Sequence, residues 1–170
     1  MMQKKVQIIS DGSLDLSQEL TKEKDIEVVP FYVSFDSETY QKEMVEVGVR
    51  EFYQEMVDHP TVFPKTSMPS VHDYYEVFEK HAKEQLPVIC ICITRKFSGS
   101  LQSATTAKDM ILEEYPDAQI TVIDSTVNTV LQGLYVLEAC RLRDMGLEYQ
   151  QIVDALLPIR ETGRICFTIG

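Results

Sequence analysis

Two hydroxyl-rich segments and two aspartates have the residue types and spacing to do chemistry. In Ser98, Gly99 and Ser100 the glycine lets backbone approach a ligand, and a helix expected from Leu101 points unpaired N–H groups at the same place. That arrangement suits an anion, a carboxylate or a phosphate; the plainer alternative is that Ser98 or Ser100 only caps the helix. Thr66, Ser67, Met68, Pro69 and Ser70 precede another expected helix, and Ser70 is placed to cap it. Thr66 and Ser67 are left as donors without a local duty. Asp11 and Asp124 each follow an apolar run, where an aspartate holds the next turn. A structural loop role is expected for both, with acid–base work or metal binding as the alternative.

Other chemistry has little to stand on. His59, His72 and His81 fall on or beside expected surface helices, and His72 with Asp73 imitates a triad only superficially, for no G-x-S-x-G elbow is present. Neither a Walker loop nor a G-x-G-x-x-G occurs, so nucleotide binding lacks a motif. Cys90, Cys92, Cys140 and Cys166 sit in apolar segments without metal-ligand spacing. Reduced, buried thiols and no metal are expected.

Elements that must position these groups follow from the patterning. Short apolar runs at residues 6–9, 28–35, 88–94, 120–123 and 165–169 read as strands, several apolar on both faces. They alternate with expected helices at 47–58, 71–83, 101–115, 128–145 and 149–162. Alternation of this kind implies an α/β fold, a mainly parallel sheet with helices on both faces. Ser70 and Asp73 form a capping-box start, Gly146 sits at a helix carboxyl end, and Pro158 is expected to end or kink the last helix. In such a sheet the loops after the strands gather along one rim, where ligands bind.

A length of 170 residues with 44% hydrophobic content fits one domain with a real core. The terminal apolar run at 164–170 stops without a cap or polar tail, so the expectation is a single domain over 1–170, truncated before or at the start of a second one. The net charge of −11 disfavours nucleic acid and anionic lipid surfaces. No run approaches the roughly 18 apolar residues of a membrane span, and the amino terminus is too short in apolar residues for a signal peptide. A cytoplasmic location is expected.

Four of these regions, in this order, resemble the DegV family of bacterial fatty-acid-binding proteins. The segment from Ser10 and Asp11 to Asp15 and Leu16 resembles its T-D-S-x-x-D-L, and Thr66 to Ser70 its T-S-Q-P-S. Phe97 to Ala104 resembles L-S-G-T-Y-Q-S-A, and Val122 to Ser125 its V-I-D-S. Departures are Gly12 for a serine, Met68 for the glutamine, Thr94 and Arg95 for a serine pair, and Leu131 for a glycine. The resemblance implies a lipid carrier that is not an enzyme and has no cofactor. A long-chain fatty acid would be its ligand, presented to a separate fatty acid kinase subunit. It assigns the carboxylate to Thr66, Ser67 and Ser98, with Gly99 and Ser100 as the supporting loop. It also implies a second, carboxy-terminal domain that helps enclose the ligand. An α/β enzyme acting on a small phosphorylated or carboxylated substrate at the same rim, with Asp11 or Asp124 as base, is the alternative, and a domain that folds but binds nothing is a third reading.

Overall fold

A computed structural model of the protein describes residues 5–166. Along the chain run β1 (Gln7–Asp11), α1 (Gln18–Glu23), β2 (Ile26–Val29), β3 (Tyr32–Ser34), β4 (Gln41–Lys42), α2 (Val49–Asp58), β5 (Lys65–Ser67) and α3 (Val71–Lys83). There follow β6 (Val88–Cys92), α4 (Ser100–Glu114), β7 (Ile120–Asp124), α5 (Thr129–Asp144) and α6 (Tyr149–Ile159). The main sheet is parallel throughout, in the order β2-β1-β6-β7.

β1 and β6 are buried at every residue, because successive side chains enter two different cores. Ile8, Ile89, Ile91 and Ile123 pack with Val136 and Ala139 of α5 and Ile152 and Leu156 of α6. Ile9, Val88, Cys90 and Cys92 turn the other way, onto Tyr74 and Phe78 of α3 and Ala104, Ala107 and Ile111 of α4. Helices therefore cover both faces, as the apolar runs require.

The expected single strand at 28–35 is two strands in two sheets. Pro30 has no N–H to give a ladder, so β2 ends at Val29 and the chain leaves the main sheet there. Beyond it, β3 becomes the centre of a separate antiparallel sheet, β4-β3-β5. β5, in a segment expected to be loop, pairs Thr66 with Val33 and Ser67 with Tyr32. α6 runs one residue past Pro158 and stops at Ile159, short of the expected 162. The capping box of Ser70 and Asp73 forms as the spacing requires, and Gly146 after α5 takes φ +87°, the left-handed conformation glycine permits. The expected strand at 165–169 lies, beyond Cys166, outside the described residues.

Candidate functional site

β1, β6 and β7 end side by side at Asp11, Cys92 and Asp124. Backbone bonds tie the loops beyond them: Ser125 N–H donates to Cys92 C=O at 3.0 Å, and Thr94 N–H to Val127 C=O at 3.0 Å. At the centre lies Asp11, with no exposed surface. Its Oδ2 accepts from the Ile93 amide at 2.9 Å and the Ser100 hydroxyl at 2.8 Å; its Oδ1 accepts from Gln132 Nε2 at 2.8 Å and the Ser13 amide at 3.3 Å. Burial pushes the Asp11 carboxyl above the usual aspartate range, and these four donors act against that rise.

The Ser98 loop stands directly over this group. Ser98 Oγ accepts from the Ser100 amide at 3.1 Å, which occupies a lone pair and leaves its O–H free to donate outward. Ser98 and Gly99 are half-buried. Ser100, expected to be a supporting loop residue, is instead the first residue of α4, and its buried hydroxyl is committed to Asp11 and to Tyr74, 2.6 Å away. The 66–70 segment reaches the same loop through Met68: a Cβ built on Gly99 would lie 2.6 Å from Met68 Sδ. The structure thus brings the 66–70 and 98–100 segments together.

Thr66 and Ser67 are strand residues, not loop residues, and point to opposite faces of β5. Thr66 stands beside Val33, which lines a groove with Leu16, Val47 and Phe52 and with the carboxylates of Asp15 and Glu43. Ser67 stands beside Tyr32, whose hydroxyl donates to Asp73 at 2.8 Å. Asp11 and Asp124, expected in loops, are the last residues of their strands. Asp124 Oδ1 accepts from the Thr126 amide at 2.8 Å, and its Oδ2 lies 3.7 Å from Arg95 Nε.

Patterning did not single out Gln132, Tyr74 or Glu43. Gln132 is fully buried and donates to both Ser10 Oγ, at 3.0 Å, and Asp11. Its signal was a polar side chain at helical spacing from Tyr135, Val136 and Ala139, on the stripe that enters the core. Glu43 Oε1 accepts from the Phe31 amide at 3.2 Å and occupies the place a Cβ on Gly12 would need. Burial first, and the charges of Asp11 and Asp15 after it, raise the Glu43 carboxyl above its usual range. Among the described residues no three His, Cys, Asp or Glu side chains are grouped to hold a metal ion, and no helix is long and apolar enough to cross a membrane.

A parallel sheet covered by helices on both faces, with the ends of β1, β6 and β7 aligned along one rim, defines an α/β domain. Residues 5–170 match the family described as uncharacterised protein, DegV family, and the chain belongs to the DegV family. It is 33% identical over 153 residues to a DegV domain-containing protein of Clostridium acetobutylicum, covering 90% of this chain and 53% of that one. Among solved structures it is similar to a stearic-acid-binding protein of Eubacterium ventriosum, with 46% identity, a TM-score of 0.85, and coverage of 89% and 52%. It is also similar to a fatty-acid-binding DegV family protein of Thermus thermophilus, at 29% identity and TM-score 0.77, covering 92% and 54%. The chain spans about half the length of the curated relatives it matches.

Proposed function

We propose that this chain carries the carboxylate-holding part of a cytoplasmic fatty-acid-binding protein, which performs no catalysis and presents its ligand to a separate fatty acid kinase subunit. The observation that carries this reading is the 46% identity, over 89% of the chain, to a protein that binds stearic acid. Geometry supports it: Ser98 has a free O–H at the rim, beside the residue on which Met68 is seated. Of the hydroxyls expected at the carboxylate, Ser98 and Thr66 are proposed to hold it; the Ser67 side chain points to the other face of β5, beside Tyr32. Thr66 shares the face of Val33, a residue of the groove between β3 and α2, and Ser67 adjoins Met68.

Energetics divide the labour. Burying about 14 methylenes at about 0.8 kcal/mol each supplies on the order of 11 kcal/mol gross, against about 1.5–3 kcal/mol for each charge-assisted hydrogen bond. The tail gives affinity and the hydroxyls give orientation.

Protein purified, denatured and extracted should release fatty acids of roughly 14–18 carbons in mass spectrometry, the length at which methylene burial dominates. A copurified sugar phosphate would instead support an enzyme. Mixed with a fatty acid kinase and ATP, the loaded protein should yield acyl phosphate. Acyl phosphate formed without the kinase would overturn the carrier assignment.

A further inference from the structure

Behind Ser98 runs a buried string of groups that can exchange a proton's position. Asp11 is fully buried, and among the described residues no Lys, Arg or His forms an ion pair with it. Ser100 Oγ lies 2.8 Å from Asp11, Tyr74 Oη 2.6 Å from Ser100 Oγ, Cys92 Sγ 3.6 Å from Tyr74 Oη, and Cys90 Sγ 3.7 Å from Cys92 Sγ. Hydroxyls and thiols donate or accept by rotation, so this string can run in either direction. With Asp11 ionised, Tyr74 donates to Ser100 and Ser100 to the carboxylate. With Asp11 protonated, the carboxyl donates to Ser100, Ser100 to Tyr74, and Tyr74 to Cys92. Both protonation states are therefore satisfied without moving the backbone.

We propose that Asp11 takes up a proton from solvent when a fatty acid carboxylate binds at the Ser98 loop, which makes ligand capture proton-linked. The inference rests on the reading of the rim as a carboxylate site. Ser100 connects the two places, its amide on Ser98 Oγ and its hydroxyl on Asp11. A ligand anion at Ser98 would be separated from the buried Asp11 carboxylate by Ser100 alone, and protonation of Asp11 relieves the repulsion between the two. Among the described residues the other ionisable groups around Asp11 supply no positive charge. They are Asp15, Glu43, Tyr74 of α3, and Cys90 and Cys92 of β6. The cations of the Ser98 loop, Arg95 and Lys96, are exposed, Arg95 lying 3.7 Å from Asp124. α5 contributes the uncharged Gln132, α4 the uncharged Ser100, and β2 the apolar Val28 and Val29. Burial already favours the protonated form of Asp11.

The test is calorimetric titration of the full-length protein with dodecanoate, below its micelle concentration, in buffers of different ionisation heat between about pH 6 and 8. A free carboxylic acid titrates well below this window, so the free ligand brings no proton with it, and loss of uptake in Asp11→Asn assigns the proton to Asp11 and not to the bound carboxylate. The parent should take up close to one proton per ligand in the upper part of the window, its affinity rising toward tenfold per unit fall in pH. Dodecanol should bind without uptake. Asp11→Asn should bind dodecanoate with no uptake and a flat pH profile. If that variant fails to fold, two other measurements decide. Tyr74→Phe should move uptake to lower pH, since the protonated form then leaves the Ser100 hydroxyl without an acceptor, and difference infrared spectra of the parent should gain a protonated-carboxyl band on loading. Dodecanoate binding with no uptake by the parent, or with undiminished uptake in Asp11→Asn, overturns the proton linkage and leaves the carboxylate site standing. Failure of the parent to bind dodecanoate at all overturns both.

Discussion

Gly99 and Met68 meet beside Ser98, the residue proposed to hold the carboxylate. Gly99 has φ −80° and ψ 3°, a backbone that alanine accepts, so the glycine is there for space and not for conformation. A methyl at this position would meet Met68 Sδ at 2.6 Å, and that atom belongs to a flexible side chain. Gly99→Ala should therefore fold with a change of about 1 kcal/mol or less, yet weaken fatty acid binding by displacing Met68 beside Ser98. Met68→Ala in the same chain should recover part of the loss. Fatty acid titrations of the single and double variants check this; equal losses in both would show that Gly99 acts through something other than Met68.

Asp73 joins three elements, and its charge makes the join sensitive to acid. Burial works against its ionisation, but the Ser70 hydroxyl and amide, Tyr32 of β3 and Lys42 of β4 outweigh burial and hold the carboxyl at about 2. Since this lies below the unfolded value of about 4, the stabilisation is complete at neutral pH and is lost as pH falls from about 4 toward 2. Asp73→Asn should be less stable than the parent by about 1 kcal/mol at pH 7, with the gap closing toward pH 2 in denaturant titrations. Gly133 makes a different join. A Cβ there would lie 2.4 Å from the backbone oxygen of Leu14, so Gly133→Ala must move α5 off the turn after β1 and should cost about 1–3 kcal/mol in denaturant unfolding. How far such elements were legible depends on burial. β6 was readable because each of its residues is buried, and α3 because Ser70 and Asp73 mark its start. β5 was not, since Lys65, Thr66 and Ser67 are all exposed and carry no apolar alternation. Of the site, the hydroxyl segments were visible as composition, whereas the joining of Ser10, Asp11, Ser100 and Gln132 needs contacts 89 to 122 residues apart in sequence, which local patterning does not record.

Among the described residues, two cores and two sheets hold one rim. The main sheet fixes Asp11, Cys92 and Asp124 in line, and Met68, just after β5 of the small sheet, reaches the Ser98 loop. With a formal charge of −11, the protein attracts an anion only where donors are concentrated, which gives the Ser98 loop its role in the proposed function. Titration of a long-chain acid and the alcohol of equal length against the full-length protein and its Ser98→Ala variant tests this most directly. The acid should lose about 1.5–3 kcal/mol, roughly tenfold to a hundredfold in affinity, because one charge-assisted donor goes while the tail contacts remain. The alcohol should lose less. Equal losses for acid and alcohol would contradict the account and leave Ser98 as no more than a cap for α4.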